Sequence, residues 1–275
     1  MAQRKTPPSL PDAVESHRDI AWRRLPELAV DSVEEAERFV TSVGIAWTLT
    51  DVRTPGPSLY VAVCGRRDAH MPQNVQKDPE ASATWVLKDD LARRGRVFYG
   101  KVLRKRSTLI ARELISPVHA LLGIPKKDEK SRLSADARAV LAVLRKEWEM
   151  ASADLRKDSG IDERARFNKA MDELQASMKV IPAEVLYVPK FTYIWALAEG
   201  RFVDELRSKM PRAEAVSRLA RAYLGAAGQT ARGELSSVLG IGRAEAGKAN
   251  HALVDEGFAV RASDGVYRLA SIGTD

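Results

Sequence analysis

A helical unit in the second half of this chain is written twice. Leu155, Gly160 and Ile161 recur as Leu235, Gly240 and Ile241, each 80 positions later. After a one-residue slip, Lys169, Ala170 and Leu174 recur as Lys248, Ala249 and Leu253, 79 positions later. Repetition at this scale restricts the fold, because a unit too small to bury its own apolar face must be completed by its neighbours. Each copy reads as a helix, a short helix, a basic helix and a strand pair. That order predicts a winged helix, a helix-turn-helix with an appended β-hairpin, whose usual partner is duplex nucleic acid.

In the first copy Ser134 caps a helix with the stripe Ala137, Val140, Leu141, Leu144 and Trp148. A short helix starts at Ser152 and stops at Gly160. A third, over 163–178, buries Phe167, Ala170, Met171, Leu174 and Met178 and shows Arg164, Arg166, Asn168 and Lys169. The strand pair spans 185–197 and turns at Pro189-Lys190. The second copy has the stripe Val216, Leu219, Ala220, Tyr223 and Leu224, then a short helix capped by Thr230 and running to Leu239. Its third helix, over 243–256, exposes Arg243, Lys248, Asn250 and His251. Its hairpin turns through Ser263-Asp264-Gly265.

The first half is less regular. Residues 1–30 read as an arm that packs through Trp22 and Leu25. Ser32 and Glu35 have capping-box spacing and open a helix with the stripe Ala36, Phe39, Val40 and Val43, stopped by Gly44. Residues 45–52 read as extended, and Thr54-Pro55-Gly56-Pro57 breaks them. The apolar run 59–64 is either a strand or the start of a buried helix. A short apolar stretch, 84–87, precedes the charged run 88–94. Residues 96–103 alternate, with Gly100 as the place for a bulge or a close backbone approach. Residues 116–125 form a compact link, and the charged linker 126–132 marks a boundary. The expected architecture is α+β and mainly helical, divided at 1–130, 131–205 and 206–275.

Charge points to a polyanion. The chain carries 44 basic and 37 acidic residues, a net charge of +7. Between Arg93 and Arg112 there are eight basic residues and no acidic one. A hairpin carrying that segment either tracks phosphates or is an edge protected by charge. The candidate phosphate contacts are Arg53, Arg66, Arg67, Arg96, Lys101, Arg104, Lys105 and Arg106, with Arg164, Arg166 and Lys169 in one copy and Arg243 and Lys248 in the other. The single cysteine, Cys64, excludes a disulfide framework and suits a reducing cytoplasm, close to the nucleoid for a DNA-binding chain. Four widely spaced histidines argue against zinc. Gly240-Ile241-Gly242 is a helix entrance, so no cofactor is expected. No apolar run reaches spanning length and no apolar leader opens the chain, so neither membrane nor signal peptide is expected. Oligomeric state stays open, a monomer among the options.

The layout resembles the AlkZ/YcaQ family of bacterial DNA glycosylases. The stretches that carry the resemblance are Trp85-Val86-Leu87-Lys88-Asp89, Tyr99-Gly100-Lys101-Val102-Leu103, and Met178-Lys179-Val180-Ile181-Pro182 leading to Phe191-Thr192-Tyr193. The resemblance implies tandem winged helices and hydrolysis of the N-glycosidic bond of an alkylated, crosslinked or otherwise bulky base in double-stranded DNA. An abasic site remains. The family's catalytic Gln-x-Gln or Gln-x-Asp follows an early helix and its glycine. Here that segment reads Ile45-Ala46-Trp47-Thr48-Leu49-Thr50-Asp51, with Trp47 and Leu49 at the two polar positions. His70-Met71-Pro72 matches the family's DNA-contacting His-apolar-Pro pattern.

Cleaving the bond builds positive charge on the sugar, which a carboxylate stabilises while orienting water. Asp51 is the only carboxylate between Glu37 and Asp68, so it is the first candidate; its alternative is a turn cap. Trp47 either stacks on an unpaired base or belongs to the core. His70 either contacts the sugar-phosphate or is simply exposed. His119 is a further candidate, and Lys101 reads as a phosphate contact rather than a Schiff-base lysine. The sequence therefore predicts a DNA glycosylase-like enzyme of repair or of defence against foreign (phage) DNA, with a non-catalytic winged-helix regulator as the alternative.

Overall fold

The computed structural model describes residues 10–51 and 55–272. Ser32 accepts a hydrogen bond from the Glu35 amide and opens the helix Val33–Val43, which Gly44 closes. β1 (Ile45–Trp47) follows, then the helices Leu59–Cys64 and Pro79–Arg94, then β2 (Phe98–Lys101) and β3 (Ser107–Ile110). The strands pair antiparallel in the order β1-β3-β2. The same succession recurs: helix Ala135–Glu147, β4 (Glu149–Ala151), helices Ser152–Asp158 and Arg164–Ala176, β5 (Val180–Leu186) and β6 (Thr192–Leu197), paired β4-β6-β5. It recurs again as helix Arg212–Ala227, β7 (Gln229–Thr230), helices Glu234–Leu239 and Arg243–Asp255, β8 (Ala259–Ser263) and β9 (Val266–Leu269), paired β7-β9-β8. Over the described residues the chain is α+β, mainly helical, with three small antiparallel sheets.

The N-terminal third thus has the element order that the sequence reveals only in the other two. What the three share is backbone. The turn after the first helix has positive φ at Gly44 (75°), Trp148 (66°) and Gly228 (70°). The turn after the short helix has it at Gly65 (59°), Gly160 (66°) and Gly240 (69°), and the turn before the hairpin at Gly95 (65°), Met178 (56°) and Gly257 (70°). Left-handed backbone costs an L-residue roughly 1–2 kcal/mol, which glycine avoids. Among these nine turn positions, Trp148 and Met178 are the two that bear that strain.

Residues 59–64, open between strand and helix in the sequence, form a helix, started by Ser58, whose hydroxyl accepts from the Val61 amide. Several other expectations are corrected. Residues 84–94 belong to one helix, Pro79–Arg94, capped by Asp78, because Lys88 and Asp89 are paired inside it rather than solvated. Gly100 lies in an unbroken register with Thr108 and makes no bulge. Trp148 is 66% exposed, since its turn points it away from the stripe below. Thr230 is buried in β7, and Gly233 precedes the following helix. Asn250 is buried rather than presented.

The helix Asp12–Ala21 and Trp22 tie the arm to the last repeat. The Trp22 indole donates to the Ala226 carbonyl at 2.7 Å, and Arg18 donates to Ala227 and Gln229 at 2.8 and 3.0 Å. Leu25 is only partly buried. The largest core joins all three repeats: Trp47, Phe98 and Leu103 from the first, Met178 and Ile181 from the second, Leu219, Tyr223, Leu235 and Leu253 from the third. Each such large side chain, fully buried, contributes about 1.5–3 kcal/mol. The positions 130/131 and 205/206 fall inside the short helices Glu129–Arg132 and Val203–Arg207.

Candidate functional site

The tip of the β2–β3 hairpin is the place where the three repeats meet. Val102 and Leu103 are buried and anchor it. Arg104 and Lys105 follow, both left-handed (φ 55° and 56°) and both exposed. Two consecutive strained residues persist only where the surroundings hold them, and such residues cluster at functional sites. The tip packs on the helix Arg164–Ala176 and on the helix Glu234–Leu239. On the first side the Lys101 amide donates to Gln175 Oε1 at 3.1 Å, and its ammonium pairs with Asp172 at 2.7 Å. On the other side the Arg104 side chain passes 3.4 Å from where a Cβ on Gly240 would stand, just before the helix that Arg243 opens. The hairpin therefore spans from one repeat's third helix to the start of the next.

The cations named from the sequence fall into two groups. Arg66 is held by Glu80 (2.7 Å), Arg67 by Asp19 (2.8 Å), Arg96 by Glu37 (3.3 Å), Lys101 by Asp172, Arg106 by Asp51 (3.3 Å) and Arg166 by Asp136 (2.6 Å). Arg104, Lys105, Arg164, Lys169, Arg243 and Lys248 are exposed and make no ion pair among the described residues. A paired cation has much of its field cancelled, so among the cations named from the sequence these six retain theirs. Arg53 lies outside the described residues.

Trp47 is 2% exposed, its indole donating to the Pro55 carbonyl at 3.1 Å, with the Arg106 guanidinium 5.4 Å from its ring. It supports Arg106 from below and does not offer a face to a base. Arg106 in turn pairs with Asp51, which is partly exposed. The structure thus brings Trp47, Arg106 and Asp51 together. His70 is exposed on a loop, its Nδ1 3.0 Å from the Asp68 carbonyl, and its own carbonyl accepts from the Tyr60 hydroxyl at 3.2 Å. His119 is partly buried, and burial with the Lys179 ammonium holds its pKa below the ordinary histidine range. Among the described residues, no group of three or more His, Cys, Asp or Glu is placed to hold a metal ion.

One polar cluster escaped the sequence reading. Lys88 (0% exposed) pairs with Asp89 (2% exposed) and donates to the Tyr193 hydroxyl at 3.1 Å. The rings of Trp85, Tyr99 and Tyr193 surround the ammonium at 4.6, 5.1 and 5.4 Å, and the Tyr187 hydroxyl donates to Asp89. Burial works against the ammonium, but the tyrosine hydroxyls and Asp89 outweigh it and hold the Lys88 pKa above the ordinary lysine range. Burial also pushes the Tyr99 hydroxyl up to about 12. Tyr99 receives a hydrogen bond from Ser107, which also bonds Thr48 beside Trp47. The cluster joins the helix Pro79–Arg94 to β2 and to the β5–β6 hairpin, so all three of the resembling stretches converge here. The signal available was a lysine beside an aspartate at a buried helical position, flanked by aromatic residues.

These features define an α+β, largely helical chain with a cationic hairpin set between repeated helices. The chain belongs to the AlkZ-related family, whose model matches residues 30–228. The Streptomyces sahachiroi DNA glycosylase AlkZ is similar in structure, with a TM-score of 0.54 at 16% identity, over 93% of this chain and 70% of that one. At that identity the likeness is one of fold. The DIP2311 protein from Corynebacterium diphtheriae also matches, at 15% identity over 77% of this chain and 40% of that one, with a TM-score of 0.20. No curated protein matches the sequence. No helix among the described residues is long and apolar enough to cross a membrane.

Proposed function

We propose that the chain binds duplex DNA through three winged helices and acts as a DNA glycosylase-like enzyme on a modified base. The observation that carries the reading is the hairpin tip, which sets Arg104 and Lys105 between two repeats whose third helices bear unpaired Arg164, Lys169, Arg243 and Lys248. Membership of the AlkZ-related family supports the choice of DNA and of base chemistry. Phosphates are held by these six cations, with His70 as a further contact near the sugar. Asp51 is the carboxylate that faces the developing charge at the anomeric carbon and takes a proton from the attacking water. Arg106 orients it, and Trp47 positions Arg106. The base leaves with the electrons of the broken C–N bond. The setting is repair or defence against foreign DNA, in the cytoplasm.

A second reading, DNA binding without catalysis, is favoured by one observation: the first of the family's two polar positions is a buried tryptophan, and the other is Leu49. Incubation with duplexes carrying alkylated or crosslinked bases, followed by alkaline cleavage, separates the two. Strand breaks that disappear in Asp51→Asn are the expected outcome. Breaks that persist in that variant remove Asp51 from the mechanism, and absence of breaks from every substrate favours the binding-only reading.

A further inference from the structure

The two repeat turns that carry a non-glycine residue, Trp148 and Met178, both line cavities, and both cavities lie at one end of the second sheet. Trp148, two-thirds exposed, takes the place held by Gly44 and Gly228 in the other repeats. It lines a cavity of about 260 Å³ with Gly200 and Arg201. Met178 takes the place held by Gly95 and Gly257 and lines a cavity of about 150 Å³. Leu197 lines both cavities. In the sheet, Leu197 pairs with Val180, and Ala196 pairs with Glu149. Val180 therefore flanks Leu197 on one side and Trp148, the residue before Glu149, on the other; Lys179 stands one residue beyond Val180, opposite Ala198, about 10 Å from Trp148 across three strands.

The chemistry of the two compartments differs. One offers an indole face at the free edge of β4. The other is lined by Lys126, Arg145, Lys179 and Arg207, with Glu199 as the acidic wall. Arg145 and Lys179 both bind the buried Glu129, at 2.8 and 2.6 Å. Lys126 and Arg207 are exposed and make no ion pair among the described residues, so the compartment retains positive charge. A backbone strain that glycine would remove is kept where it presents an aromatic ring beside a cationic hollow. An aromatic ring joined to a phosphate fits both halves, the ring by stacking and the phosphate by charge.

We propose that this end of the second sheet is a nucleotide-binding site, the base stacked on Trp148 and the phosphate set among Lys126, Lys179 and Arg207. The proposal does not depend on the glycosylase reading, since it shares no residue with the site built around Asp51. The nucleotide comes either free or as part of a DNA strand, at an end or turned out of the stack.

The test titrates the full chain with adenosine 5′-monophosphate, adenosine, inorganic phosphate and a short 5′-phosphorylated single-stranded oligonucleotide, followed by calorimetry and tryptophan fluorescence. The monophosphate should bind and quench, and adenosine or phosphate alone should bind about tenfold more weakly. Trp148→Gly should weaken binding by about tenfold, within what one base–aromatic stack contributes, while the fold is kept because the other repeats carry glycine there. The exposed pair Lys126→Glu/Arg207→Glu should weaken the monophosphate and leave adenosine unchanged. Tighter binding of the oligonucleotide identifies a strand as the source; tighter binding of the monophosphate identifies a free nucleotide. No binding of either, or unchanged affinity in the charge-reversed pair, overturns the proposal whatever Trp148→Gly does.

Discussion

Lys88→Met isolates the buried charge pair that links the first two repeats. Methionine keeps most of the lysine stem's volume, so packing against Trp85, Tyr99 and Tyr193 is largely preserved. What is lost is the cation facing Asp89, itself 2% exposed. Removing one member of a buried pair costs about 3–5 kcal/mol, because the other stays desolvated and uncompensated. The remaining hydrogen bond from Tyr187 to Asp89 places the expected loss toward the lower end. For a chain of this size that is a fall in the thermal midpoint of roughly 6–15 °C. The double variant Lys88→Met/Asp89→Met removes both charges and should regain most of the loss, and urea denaturation of the four-member cycle gives the coupling directly. Because the folded-state pKa of Lys88 is raised, its contribution is fully present below the unfolded value of about 10.4 and is lost only as pH rises above it. The wild-type advantage should therefore be flat from pH 6 to 9 (roughly) and shrink in stronger alkali. A loss below about 1 kcal/mol, or a double variant worse than the two singles together, would refute the reasoning.

Glu129 behaves in the opposite sense. Burial raises its pKa, but hydrogen bonds from Arg145 and Lys179 prevail and hold it below the ordinary carboxylate value. Its stabilisation is present above about pH 4.3 and is lost as pH falls through the lower folded value, so Glu129→Gln should be destabilised at pH 7 with a difference that closes in acid, read by urea denaturation at several pH values. Trp148→Gly and Met178→Gly should move stability in opposite directions, as calorimetric midpoints would record. The exposed tryptophan gains up to about 1 kcal/mol of net strain relief. The buried methionine gives up about 2–5 kcal/mol of packing, which outweighs the same relief. Gly44→Ala should lose about 1–3 kcal/mol in the same measurement, because φ is 75° and the new Cβ would stand 2.6 Å from Leu114 Cδ1.

The two repeats found in the sequence were legible because Leu155/Leu235, Gly160/Gly240 and Ile161/Ile241 do the same job in the same turn: a buried helix residue, a left-handed stop and a buried re-entry. The first repeat keeps the turn geometry at Gly44, Gly65 and Gly95 but fills its helices with other residues, so only backbone angles reveal it. Hydropathy also misread the run beginning at Lys88, since a scale prices each charge alone and cannot see that Asp89 and three aromatic rings compensate it. The cationic candidates were found by counting, but their pairing was not. Arg67 meets Asp19 across 48 positions and Lys101 meets Asp172 across 71, separations that no local pattern encodes. Helical spacing continues through Trp148 and so predicts a core residue there, whereas the chain turns left-handed at that residue and carries the indole out.

The salt dependence of duplex binding tests the cationic face most directly. Each phosphate contact adds about −0.9 to the slope of log K against log salt, so six unpaired cations engaged together give a slope near −5. Arg104→Glu/Lys105→Glu should bring it to about −3 or flatter, and weaken binding to all duplex sequences alike. A slope close to zero in the unaltered chain, or one that Arg104→Glu/Lys105→Glu leaves unchanged, would contradict the assignment of this face to DNA.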